Sequence, residues 1–134
     1  MEPVSITPDD MKHLGEKFNY SAAVRVGNLL FCAGQVGRDS DMNVITSSLE
    51  DHIVKAWENV EAVLAAAGCT TRNIVEMTTY HVDLQEQLGL FVEIKDRFVP
   101  RDMAAPPAWT SIGVSELSLP GQVVEIKVVA AIPE

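Results

Sequence analysis

The sequence is short of most features that announce a chemistry, and each shortage removes a class of function. It has two cysteines, Cys32 and Cys69, far apart and outside any CxxC pair. Cys32 lies in the apolar run LLFCAG and Cys69 follows a glycine at a helix end, so reduced, at least partly buried thiols are expected. No Lys or Arg is followed directly by another, and the formal net charge is -9. Nucleic acid and anionic membranes are thus poor partners, because both are bound through cationic patches. No apolar run approaches the ~20 residues of a membrane span, and MEPVSITPDDMK has neither a cationic nor an apolar leader region. A cytoplasmic location is expected.

Phosphate loops of the GxGxxG or GxxxxGK kind are missing, as is the GxSxG elbow of many hydrolases. His13, His52 and His81 form no HxxxH or HExxH pair, so no metal is expected. Of the three, only His81 is expected to approach other polar groups. The stretch DSDMNVITSSLE spaces Asp39, Asp41, Asn43 and Glu50 like a calcium loop. Its sixth position is Val44 where that loop needs glycine, and a strand precedes it where a helix should. No cofactor is implied.

What is present is an ordinary globular composition: 134 residues, 47% hydrophobic and 22% charged. One domain over residues 1–134 is expected, burying roughly two-thirds of its unfolded surface. AAVRVGNLLFCAGQVG predicts a hairpin about a Gly27-Asn28 turn, with a second arm so apolar that both faces should be covered. Ser47-Ser48-Leu49-Glu50 supplies an S-x-x-E capping box. The helix it opens carries Ile53, Trp57, Val60, Val63, Leu64 and Ala67 on one face, and Gly68 ends it. A strand follows from Ile74 to Val82, then a helix from Leu84 to Phe98 with Leu88, Phe91, Val92, Ile94 and Phe98 facing inward. Strands Ala108–Glu116 and Val123–Ile132 finish the chain, joined across LSLPGQ by a type II turn. The order β-β-α-β-α-β-β describes an α+β fold, a mixed sheet with two helices on one face. Nothing in the sequence covers the other face, which predicts a homo-oligomer.

One residue stands out chemically. Glu125 sits between Val124 and Ile126 in the last strand, where a carboxylate is costly unless it is paired or lines a wet cleft. Lys127, on the same face, offers an ordinary pairing as the alternative.

Three separated pieces, NYSAAVRVGNLLFCAGQVG, AWENVEAVLAAAGCTTRNIVEMTTYHVDL and PPAWTSIGVSELSLPGQVVEIKVVAAI, occur in an order and at spacings that resemble the Rid family (YjgF/YER057c/UK114). The resemblance runs from about residue 17 to 133. It implies a chorismate-mutase-like fold, a homotrimer with its sheets in a central barrel, and a small-molecule cleft at each subunit interface. It also implies hydrolysis of reactive enamines and imines to 2-keto acids and ammonia. By that resemblance Tyr20 closes the cleft, Gly34 lines it with backbone, and Glu125 orients a water. Ala33 stands where the family often has serine, and Ser111 where it has cysteine.

The family's P-A-R-[ST] motif reads Pro107-Ala108-Trp109-Thr110 here. A guanidinium offers parallel donors to a carboxylate, which a neutral indole cannot imitate. Trp109 at that position implies a substrate without a carboxylate there, another anion anchor, or no deaminase activity. Arg25 and Arg101 are the stand-ins expected from sequence. The expected function is an imine deaminase with altered substrate range; the alternative is a non-catalytic small-molecule binder using the same clefts.

Overall fold

Two eight-residue stretches bury alternate side chains, one throughout and the other beyond a register shift near its start, and their pairing makes the centre of one mixed sheet. The computed structural model describes residues 2–134. In chain order these form β1 (Val4–Ile6), α1 (Lys12–Phe18), β2 (Ala23–Val26), β3 (Leu29–Cys32), β4 (Gln35–Val36), α2 (Leu49–Ala66), β5 (Ile74–His81), α3 (Leu84–Phe98), β6 (Ala108–Gly113) and β7 (Val124–Ala131). The sheet order is β1-β2-β3-β7-β5-β6, with β4 also paired to β7. Only β5 and β6 run parallel; every other pair is antiparallel.

Helices α2 and α3 cover one face of this sheet. Val124, Ile126 and Val128 of β7 and Leu30 and Cys32 of β3 point into the layer beneath them. Trp57 fills its middle, fully buried, 5.9 Å from the Phe98 ring and 6.2 Å from Phe91. The predicted apolar stripe of α2 is buried from Ile53 to Leu64, whereas Ala67 is half-buried and caps the helix, which ends at Ala66. On α3 the inward side is narrower than expected: Phe91 and Ile94 are buried, whereas Leu88 and Val92 are half-buried at its margin. Gln87 is buried there instead, because its amide reaches the Val82 and Val123 carbonyls.

Two other expectations change. The α2 cap is one residue later than expected: Ser48 is the N-cap and accepts from Asp51 N at 3.0 Å, while Ser47 hydrogen-bonds the Asp51 side chain. The second hairpin arm is covered on one face only, since Leu29 and Phe31 lie exposed on the face away from the helices. The hairpin turns at Gly27-Asn28 with Gly27 at φ +62°. The early segments β1 and α1 add to the expected elements; β1 extends the sheet edge beside β2. Cys32 and Cys69 are both free and buried, and burial pushes the Cys32 thiol up to about 12. Among the described residues, no helix is long and apolar enough to cross a membrane.

Candidate functional site

The site begins where α1 stops. Asn19 takes the left-handed conformation at φ +56°, and the N–H groups of Asn19 and Tyr20 both return to the Gly15 carbonyl. A Cβ at Gly15 would stand 2.7 Å from the Tyr20 carbonyl oxygen, so this tight return requires glycine. It leaves the Tyr20 side chain partly exposed.

Beyond Ala33, the chain presses Gly34 against β7. A Cβ at Gly34 would lie 2.6 Å from Glu125 Cγ and 2.8 Å from its Oε2, so the carboxylate rests on bare backbone. β4 then pairs Val36 with Glu125, and β5 pairs Tyr80 with it from the other side. Among the described residues, no ion pair or hydrogen bond to the Glu125 carboxylate is made, and Lys127 does not pair with it. Burial pushes its pKa up from the ordinary glutamate value. A half-buried carboxylate with no partner is a proton acceptor of raised basicity.

Tyr20, Gly34 and Glu125 line a common cavity of about 210 Å³. Sequence reasoning brings these three together; it misses three neighbours, Gln35, Arg38 and Gln122, that share the wall. Gln122 is the fourth residue of the expected type II turn, with Gly121 at φ +87° and Gln122 N donating to Leu119 O at 3.3 Å. Arg38 follows the strand bend at Gly37, whose Cβ would meet His52 O at 2.3 Å. His52 is the unexpected organiser. Its Nδ1 lies 3.0 Å from the Ile45 carbonyl and so carries the proton; its Nε2 accepts from Gly37 N and Val123 N, both at 3.3 Å. The stretch resembling a calcium loop closes on itself: Asp39 accepts from Asp41 N, Asn43 N and Asn43 Nδ2.

Trp109 lies elsewhere in the chain. On β6, Trp109 and Ser111 are the half-buried positions, whereas Thr110 is exposed on the face Glu125 shares. The indole packs 5.8 Å from the Phe91 ring, with Lys95 Nζ 5.3 Å from its own centroid, and walls a second cavity of about 190 Å³. Its Nε1 donates to Thr79 Oγ1 at 2.9 Å. The Thr79 hydroxyl donates to His81 Nε2 at 2.6 Å, and His81 Nδ1 donates to Gln87 Oε1 at 2.8 Å. The direction is fixed at both ends, because indole only donates and the Gln87 amide nitrogen is spent on two carbonyls. Arg101 borders the same cavity but is held by Asp96 at 2.7 Å, and Arg25 turns back to the Gly27 carbonyl. Neither expected stand-in reaches Glu125's cavity, which has Arg38 in its wall instead.

A family model described as "Endoribonuclease L-PSP" matches residues 12–132. The chain is 37% identical to the RutC family protein YjgH of Escherichia coli over all of its own length and 98% of that protein. The solved structure of YjgH superposes with a TM-score of 0.85 at 36% identity, covering 100% of this chain and 99% of that one. The chain is 29% identical to a 2-iminobutanoate/2-iminopropanoate deaminase of Dermatophagoides farinae, over 73% of this chain and 74% of the relative. A structure of TdcF from Escherichia coli with bound serine matches at a TM-score of 0.76 and 25% identity, over 85% and 88% of the two chains.

Proposed function

Since the chain belongs to the endoribonuclease L-PSP family, the Rid proteins, and shares their chorismate-mutase-like α+β fold, we propose that it hydrolyses the C=N bond of a small reactive imine, releasing ammonia. One observation carries this reading. Glu125, unpaired and raised in pKa, rests on Gly34 beside Tyr20 in a cavity sized for a small molecule. The family includes a protein named for deamination of 2-iminobutanoate and 2-iminopropanoate.

The chemistry needs little else. Glu125 takes a proton from water as its oxygen adds to the imine carbon. Glu125 returns that proton to the amine nitrogen. As the C–N bond breaks, the new hydroxyl gives its own proton back to the carboxylate, so ammonia leaves and a carbonyl stands in place of the imine. A protonated imine is already electrophilic, so general-base help of ~10²–10⁴-fold is enough. Tyr20 closes the cavity and the backbone at Gly34 holds the substrate. Trp109, Thr110, Ser111 and Ala33 contribute from the recognition strand and the segment before Gly34. Trp109 and Glu125 lie on opposite faces of one sheet, so a site using both takes them from two subunits. The bare sheet face with Leu29 and Phe31 supports a homotrimer closed around it, and we place the protein in the cytoplasm.

A second reading, a binder without turnover, is favoured by Trp109 itself. Where the family has an arginine free to meet substrate, this side chain is tied to Thr79 and packed on Phe91. Ammonia release from freshly generated 2-imino acids separates the two. We expect turnover by the wild type and its loss in Glu125→Ala. An inert wild type that gains activity in Trp109→Arg would select the binder.

A further inference from the structure

The cavity that holds Glu125 also holds a cation, and we propose that Arg38, assisted by Gln122, is the anchor for a carboxylate on the small molecule bound there. This rests on the cavity being the ligand site, as in the function proposed above.

Arg38 is 5% exposed, and its guanidinium makes two hydrogen bonds, from Nη1 to the Asp39 carbonyl at 3.2 Å and from Nη2 to Gln35 Oε1 at 3.3 Å. Both partners are neutral. Among the described residues it forms no ion pair, although Asp10 and Asp39 act on it from farther away. A buried guanidinium ordinarily has a carboxylate or phosphate beside it, because desolvating a lone charge is expensive. With five N–H donors, it retains the capacity for a bidentate pairing.

Gln122 supplies an independent observation. It is 4% exposed, and its Oε1 accepts from Leu119 N at 3.1 Å and Ser118 Oγ at 2.9 Å. A backbone N–H can only donate, so the amide cannot be flipped. Its Nε2 is then a buried donor with no partner, on a residue in the wall of the same cavity. A carboxylate has the acceptor lone pairs that both groups need.

The protein holds this pair in place before anything binds. Asn59 Nδ2 donates to the Arg38 and Val36 carbonyls, both at 2.9 Å, and His52 ties Gly37 to Val123, the neighbours of Arg38 and Gln122. Glu125 and Arg38 line one cavity without pairing, so a ligand can offer its carboxylate to one and its reacting carbon to the other. At about 210 Å³ the cavity is below the ~300 Å³ where drug-sized sites begin, which selects small carboxylic acids. The negative field of the whole chain makes such a local cation necessary.

The test is binding, read separately from turnover. 2-Oxobutyrate, an unreactive acid of the right class, is titrated by calorimetry into the wild type, Arg38→Met, Arg38→Lys, Gln122→Leu and Glu125→Ala, with helicity and assembly checked for each. We expect wild-type binding, a loss of roughly 30-fold or more in Arg38→Met, a smaller loss in Arg38→Lys, and roughly fivefold in Gln122→Leu. Glu125→Ala should still bind. If Arg38→Met does not fold, Arg38→Lys and Gln122→Leu decide. Wild-type affinity in the Arg38 and Gln122 variants, or no binding by the wild type, overturns the anchor. Retained Arg38-dependent binding without ammonia release overturns the deaminase and leaves the anchor standing. Ammonia release that needs Glu125 but ignores Arg38→Met does the reverse.

Discussion

Gly34 and Gly37, on either side of β4, separate a constraint on the proposed site from one on the fold. At Gly34 the atoms in the way belong to the flexible Glu125 side chain; at Gly37 the nearest is the His52 backbone oxygen. Gly34→Ala is therefore expected to swing Glu125 aside with a stability change below about 1 kcal/mol. Since misplacement of a reacting group by about 1 Å costs ~10²-fold, kcat/KM should fall by about that much while Tm barely moves. Gly37→Ala cannot be relieved this way and should lose about 1–3 kcal/mol in denaturant titration. Glu125 itself predicts a pH profile. In the proposed reaction the working form is the carboxylate, and burial raises its pKa, so ammonia release should fall on the acid side at a midpoint above that of a free glutamate. Glu125→Gln should be inactive yet no less stable in thermal melts, because it removes an unpaired half-buried charge.

Within the elements, α2 offers a sharp comparison. Ser48→Ala should cost about 1 kcal/mol by removing the side-chain cap, whereas Ser47→Ala should stay within about 0.5 kcal/mol; urea midpoints distinguish them. His52 and His81 sit fully buried among fixed partners, and burial lowers both pKa values. The native state then binds fewer protons than the unfolded chain. Stability is present in full above about pH 6.5 and is lost as the pH falls from there through the lowered native values. Urea midpoints taken across mildly acidic pH should show this decline. The strands and helices carrying these residues were legible, because periods of two and near 3.6 leave their mark on Val124–Ala131 and Ile53–Leu64. Glu125 is legible as a carboxylate within an apolar strand, but its grouping with Tyr20 and Gly34 is legible only through family resemblance. Arg38 and Gln122 were not: each reaches the cavity through a bend or turn whose partner is distant in sequence, and no local pattern encodes that meeting. The early β1 and α1 were hidden by their shortness, and the buried polarity of His52 and Gln87 by partners on other elements.

For the whole molecule, the sheet face away from α2 and α3 is the dominant unsolved surface of a lone chain. Leu29 and Phe31 lie on it beside Val129 and Ala131 of β7, with Ile112 farther along. Exposed large apolar residues gathered this way mark an interaction surface. Light scattering of the wild type is expected to give three subunits, and Phe31→Asp to give smaller species. In the proposed site, which draws Trp109 and Glu125 from two subunits, that dissociation should also reduce ammonia release without touching either residue.

The double acceptance by His52 Nε2 reaches further than stability. One imidazole ties the segment bearing Arg38 to the segment bearing Gln122, so neither rim of the cavity can be lengthened or shortened without breaking the other's support. Divergence of ligand preference on this scaffold should then proceed by exchanging side chains such as Leu14 and Met42, which line the cavity, with insertions confined to loops outside the clip. A directed-evolution library that randomises those two positions should yield folded variants with shifted acid preference far more often than one that varies loop length between Gly37 and Ile45.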